Sequence, residues 1–368
     1  MSNIIEYKDL IAFHPGSYIE EIVEDLNITQ AEFANRLGVS AKLVSKLING
    51  EENISDSTAN KLAKLTGISM QSWLNIQASY SAKMADIENQ KNIDEQNIEE
   101  QKVCNYIDFS YLKKNNFIEN KRYSIQDKIK ELRKLLNYSN LSKLFEFNSS
   151  VSYRRSESKN EEKSIVCSNV MLELAANKAR NKTSNKFNKS KLDQKLDTIK
   201  SMTVQDPKDF YPKLKDTLLD CGIVLEAFPN LPGARLNGAI KKFKNGSILL
   251  LITDKNKYSD IFWFSFVHEL GHIYHEDFYS NYKDMEKYNL KEKQADKFAE
   301  NFFIPKNKYH KFLQKKTFNV DSIKNFSEEL NISPGIIVGR LQSDGYIEHC
   351  YFNELKTEYK ISLNKATS

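Results

Sequence analysis

The chain has 368 residues, 40% of them apolar and 28% charged, with a net charge of +5. That is long enough for two or three domains with their own cores and too apolar for a wholly disordered protein, while the charge is too small to identify a partner. Cys104, Cys167, Cys221 and Cys350 form no C-x-x-C pair; a disulfide framework or thiolate zinc site is not expected, and a reducing cytoplasm suits them best. "MSNIIEYKDLIAFHPG" lacks the basic start and apolar core of a signal peptide. No run reaches the roughly eighteen apolar residues of a membrane span, so the expectation is a cytoplasmic chain with no membrane partner.

The first distinctive stretch is "NITQAEFANRLGVSAKLVSKLING". Thr29 is placed to cap a helix from Gln30 to Leu37, which Gly38 ends, and Ser40 opens a second helix that stops near Asn49 and Gly50. Two short helices joined by a tight glycine-containing turn are the geometry of a helix-turn-helix, whose second helix enters the major groove. Val44 and Leu47 are spaced for the core, leaving Ser40, Lys42, Ser45, Lys46 and Asn49 to face outward, with Gln30 at a helix start positioned for a phosphate. These six are the candidate DNA-contacting residues. The alternative is a small helical interaction domain with no DNA role. Between His14 and Asn75, eight acidic residues (Glu20, Glu21, Glu24, Asp25, Glu32, Glu51, Glu52, Asp56) outnumber five basic ones (Arg36, Lys42, Lys46, Lys61, Lys64). Affinity for DNA then has to come from local charge placement or from a dimer.

"HPGSYIEEIVEDLNITQAEFANRLGVSAKLVSKLING", followed by "WLNIQASY", resembles the XRE-type helix-turn-helix and, within it, the HigA-like antitoxins. The resemblance spans about Phe13 to Tyr80 and implies binding of operator DNA as a homodimer.

The polar, acidic segment from Ser81 to about Val103 reads as a solvated helix or linker. A helical middle region follows. It contains "SESKNEEKS", expected as a loop, and the Lys/Asn-rich run "NKARNKTSNKFNKSKLDQK", read as a solvated face or loop with phosphate contact as the alternative. After Cys221, "GIVLEAF", "ARLNGAIKKF" and "SILLLITD" are short, apolar and separated by Pro, Gly and Asn, as strands are. Helices follow them, which indicates an α+β arrangement. The expected fold is therefore mainly α with an α+β carboxy-terminal part. The domains expected are a DNA-binding module at 1–80, an acidic helical linker at 81–108, a helical middle region at 109–205 and an α+β domain with a small sheet at 206–368.

"FWFSFVHELGHIYHED" holds three histidines. On a helix, His268 and His272 lie one above the other and can share a metal, whereas His275 is roughly 10 Å along the axis from His268. A zinc ion about 2.1 Å from each ligand cannot comfortably join those two, so the third ligand has to come from another element. Glu292 is the best candidate. It shares a helix face with Asp296 in "EKQADKFAENFF", where Ala295, Phe298, Ala299 and Phe302 are spaced for burial. This makes H-E-x-x-H followed by E-x-x-x-D: His268, His272 and Glu292 as zinc ligands, Asp296 as acceptor for a ligating histidine's free N–H, and Glu269 as the catalytic base beside the metal water. A lone H-E-x-x-H can equally be a satisfied polar pair. His275 keeps three readings: a surface or packing residue, a polar group lining the cleft, or a ligand. Tyr274 is equally eligible as an oxyanion donor.

"LPGARLNGAI", "FWFSFVHELGHIYHED" and "EKQADKFAENFFIP" together resemble the ImmA/IrrE metallopeptidases, and "NISPGIIVGRLQSDGYI" suits that family's carboxy-terminal helices. The resemblance implies a gluzincin-type zinc endopeptidase with the same ligands and base. It also implies a substrate peptide added to a sheet edge, for which "SILLLITD" is the expected strand. The function expected is a transcriptional repressor of antitoxin or mobile-element type, whose metallopeptidase-like domain cleaves or senses a protein partner to control repression. The alternatives are a regulatory zinc endopeptidase whose helix-turn-helix only localises or dimerises it, and a non-catalytic binder that neutralises a toxin.

Overall fold

The computed structural model describes residues 3–146, 161–278 and 285–363. The chain divides into two compact units between Ile98 and Glu99.

The amino-terminal unit opens with a hairpin not expected from the sequence, β1 (Ile4–Tyr7) antiparallel to β2 (Leu10–Phe13), with Ile4 opposite Phe13. Four helices follow: α1 (Gly16–Asp25), α2 (Gln30–Leu37), α3 (Ala41–Ile48) and α4 (Asp56–Thr66). Their caps are local and explicit. Thr29 Oγ1 accepts from the Glu32 N–H at 3.2 Å, Ser40 Oγ accepts from the Leu43 N–H at 3.2 Å, and Gly38 ends α2 at φ 66°. The core gathers Ile19, Phe33, Leu37, Val44, Leu47, Leu62 and the fully buried Trp73. Helix α5 (Met70–Tyr106) begins in this unit and runs unbroken for 37 residues through the segment expected as an acidic helical linker. Tyr7 and Lys8 in the hairpin both reach Asp94 on α5, at 2.8 and 2.5 Å.

The larger unit contains α6 (Phe109–Lys114), α7 (Ile125–Leu136), α8 (Glu161–Ala179), α9 (Lys189–Ser201) and α10 (Pro207–Asp220). Next come strands β3 (Ile223–Phe228), β4 (Gly238–Lys242) and β5 (Ile248–Thr253), then α11 (Ser259–Tyr274), α12 (Met285–Phe303), α13 (Lys306–Gln314), α14 (Val320–Leu330) and α15 (Pro334–Ser343). Of "SESKNEEKS", residues 156–160 lie outside the described residues and the last four open α8.

The sheet order is β3-β5-β4, with β3 and β5 parallel and β4 antiparallel to β5. The expectation that "SILLLITD" forms a sheet edge is therefore wrong. β5 is the central strand, buried at all six positions, and its unbroken apolar run is what a strand covered on both faces requires. Alternate residues go to two cores. Ile223, Leu225, Ile240, Leu250 and Ile252 pack with Trp263, Phe266, Val267 and Leu270 of α11, whereas Val224, Phe228, Leu249 and Leu251 pack with Leu132 of α7 and Val170, Met171 and Leu174 of α8. The middle helices thus cover one face of the same sheet whose other face carries α11. The Lys/Asn-rich run is tied to it. Lys178 and Lys182 pair with the buried Glu226 of β3, and the Phe187 N–H donates to the Gly246 carbonyl at 3.0 Å.

Candidate metal centre and nucleic-acid interface

Helix α11 is held by Phe262, Trp263, Phe266, Val267 and Leu270 in the core, which leaves His268 and His272 one turn apart on another side. Gly271, between them, meets the Ala295 Cα at 3.2 Å and the Phe298 side chain at 3.1 Å, measured from where its Cβ would be. Having no side chain there lets α12 approach closely, and that approach brings Glu292 to the two histidines.

The resulting group is compact. His268 Nε2 and His272 Nε2 are 3.2 Å apart, and each lies 3.3 Å from a different oxygen of Glu292. Donors at about 2.1 Å from a tetrahedral zinc ion stand about 3.4 Å apart, close to the spacing of the two imidazoles and of each from its own Glu292 oxygen, so the donor set suits zinc. Asp296 Oδ1 lies 2.9 Å from His268 Nδ1. A proton held there leaves the Nε2 lone pair free to face the group. Burial opposes protonation of His268, but the Asp296 and Glu292 carboxylates outweigh it and push the imidazolium up to about 10. Glu292 is likewise desolvated, yet the two imidazoles hold it far below the usual carboxylate range.

Glu269 offers no atom to the group. It is 4% exposed, and burial pushes its carboxyl up while both histidines pull it down. Its neighbour is Gly238 at the start of β4: a Cβ there would sit 2.6 Å from Glu269 Cγ. No sequence spacing pointed to Gly238. His275 caps α11 against the Phe298 ring at 5.9 Å and lies outside the donor group. Burial, then Lys189, lowers its pKa. The Tyr274 hydroxyl is hydrogen-bonded to Asp193, and its ring lies under Lys189 at 4.0 Å.

On α2 and α3, Gln30, Ser40, Lys42 and Asn49 are exposed, and Ser45 and Lys46 are half-buried. The Ser40 hydroxyl is engaged as a cap, Asn49 Nδ2 lies 3.4 Å from Ser45 Oγ, and Lys46 leans toward Glu52 at 3.5 Å. Lys42 projects without such a tie among the described ion pairs.

The HTH-type transcriptional regulator YddM of Escherichia coli (strain K12), itself uncharacterized, is 33% identical over 72 residues, which is 20% of this chain and 77% of that protein. Virulence-associated protein I of Dichelobacter nodosus is 31% identical over 83 residues, 22% of this chain and 77% of that protein. A helix-turn-helix family model matches residues 19–73, and the model of the IrrE N-terminal-like domain matches residues 237–342. The chain belongs to the helix-turn-helix family through its amino-terminal part, and residues 237–342 are similar to the IrrE N-terminal-like domain. The helix-turn-helix domain is also similar to solved structures, each covered almost entirely but spanning only 23% of this chain. One is an addiction module antidote protein of a HigA family from Coxiella burnetii, at 32% identity, TM-score 0.21 and 91% of that chain. Another is the antitoxin HigA of Pseudomonas aeruginosa with the higBA promoter, at 32%, 0.21 and 91%. The IrrE N-terminal-like domain takes in β4, β5, the donor helices α11 and α12, and nearly all of α15. Among the described residues, no helix is long and apolar enough to cross a membrane.

Proposed function

We propose that the chain is a DNA-binding transcriptional regulator whose IrrE N-terminal-like domain is a zinc endopeptidase acting on a protein partner to control repression. The observation that carries the enzymatic half is the grouping of His268, His272 and Glu292, with the imidazoles 3.2 Å apart and each 3.3 Å from one Glu292 oxygen, beside a buried carboxylate that is not part of it. Zinc held there supplies Lewis acidity toward a carbonyl and an acidified water. The protein's own part is proton management. Glu269 takes the proton of the attacking water and returns it to the leaving amine. Asp296 keeps His268 in the Nδ1–H tautomer. β4 is an edge strand next to Glu269, so a substrate main chain can pair along it.

The DNA half rests on the capped α2–turn–α3 unit and the regulator to which it is similar. Operator binding as a homodimer offsets the local excess of acidic residues, with Lys42, Gln30 and Asn49 the most accessible contacts. Gel shifts with the chain's own upstream DNA at moderate salt test this half, and absence of a complex removes it. Elemental analysis should find one zinc per chain. Cleavage of the protein encoded beside it should vanish in Glu269→Gln while zinc is retained. If wild type and Glu269→Gln act identically, the peptidase reading fails and a toxin-neutralising binder takes its place.

A further inference from the structure

A pocket of about 200 Å³ opens between the first half of α11, the end of α12 and α15. A cavity of about 150 Å³ holds a benzene-sized molecule, so this one has room for a single large side chain. Its walls lead into the donor group. Phe264 and Ser265 lie four residues before His268 and Glu269, Glu300 lies four residues after Asp296, and Asn237 precedes Gly238. One helical turn is about 5.4 Å, so three separate elements place this pocket one step from the metal ligands and the base.

The chemistry of the pocket is uneven. Ile261, Phe264, Phe303, Ile304 and Ile336 give it an apolar wall. At one side stands Asp260, 6% exposed, whose Oδ2 lies 2.7 Å from Lys356 Nζ. Its other oxygen, Oδ1, is buried and has no hydrogen-bond partner among the described residues. Gly339 on α15 lies so close that a Cβ there would collide with the Asp260 carboxylate, and its missing side chain is what lets Asp260 pack against that helix. An unpartnered buried carboxylate oxygen is costly unless an N–H reaches it. Arg340 is already held between Glu300 at 2.9 Å and Asp344 at 2.7 Å. With Lys356 offsetting Asp260, the surroundings keep one negative charge in excess.

We propose that this pocket is a specificity subsite that receives a lysine or arginine side chain of the substrate, whose charged tip is drawn to the Asp260 carboxylate in the pocket wall. The apolar wall takes the methylene stem, and the excess negative charge rejects acidic residues. The assignment rests on the peptidase reading above, but it concerns binding and is tested without turnover.

Short fluorescent peptides, identical except for a central Lys, Arg, Leu or Glu, are titrated against the zinc-loaded full chain carrying Glu269→Gln. The Lys and Arg peptides should bind at least ~10-fold more tightly than the Leu and Glu peptides, a difference of about 1.4 kcal/mol. Asp260→Asn in the same background should bring the four within about twofold. Ser265→Leu, which fills the pocket, should do the same and serves if Asp260→Asn does not fold. Equal binding of all four peptides, binding of none, or a preference that survives Ser265→Leu overturns the proposal. A parallel digest with wild type keeps the two readings apart. Cleavage without basic preference leaves the peptidase and removes the subsite; basic-selective binding without cleavage leaves the subsite and removes the peptidase.

Discussion

Replacing Gly238 with Ala tests the approach of β4 to Glu269. The added Cβ lies 2.6 Å from Glu269 Cγ, 3.0 Å from Oε1 and 3.1 Å from Cδ. Carbon atoms in ordinary contact sit about 3.5–4.0 Å apart, so one partner has to move by about 1 Å. Gly238 has little room to retreat, because it is in register with Ile252 of the buried central strand. Glu269 is 4% exposed and lies within α11, so the strain falls on its side chain. Overpacking of this kind costs about 1–3 kcal/mol. At about 2–4 °C per kcal/mol for a unit of this size, the melting midpoint should drop by about 2–12 °C. Displacing a reacting group by about 1 Å costs about 100-fold in rate. The three donors are untouched, so zinc content should equal that of wild type. Calorimetry, elemental analysis and a peptide-cleavage assay read the three quantities separately. Unchanged melting together with cleavage within twofold of wild type would refute the packing argument; loss of zinc would refute the separation of Glu269 from the donor group.

Three further outcomes follow from single contacts. Asp296→Ala removes the acceptor 2.9 Å from His268 Nδ1 and should weaken zinc binding about 10–100-fold in a chelator competition, with Glu269-dependent steps otherwise intact. Trp73→Ala empties a fully buried site in the amino-terminal core and should cost about 3–5 kcal/mol, abolishing the gel shift while zinc content stays constant. Arg133→Met strands Glu100, which is fully buried and also accepts from the Leu141 N–H at 2.8 Å. Denaturant titration should give a loss of about 3–5 kcal/mol, and a loss below about 1 kcal/mol would mean that water reaches the pair.

Much of the local structure was legible because its causes lie within a few residues. Thr29, Gly38 and Ser40 act as caps on their own helices, and the four-residue spacing of His268 and His272 places them on one side whatever surrounds them. The partnership of Glu292 and Asp296 was legible for the same reason, since amphipathic spacing on α12 already named the face that turns to a neighbour. The short hairpin at Ile4–Phe13 was missed, because two four-residue strands around a Lys8 turn carry little sequence signal and depend on α5 for support. The segment read as a solvated helix or linker is helical, and what its polar composition did not show is that it continues without a break from Met70 to Tyr106.

The sequence by itself determined the capped pair α2 and α3, the candidate site residues His268, Glu269, His272 and Glu292, and the presence of three strands, since periodicity, caps and spacing are local. Only the tertiary structure decided that β5 is central rather than an edge, that α8 and α11 cover opposite faces of one sheet, and that Gly238 lies against Glu269. It alone tied the basic run to Glu226 and placed Asp260 and Arg340 around one pocket. Strand order and such long-range neighbours follow from which apolar faces bury each other best. That is a property of the whole assembled core, to which no single stretch of sequence holds the key.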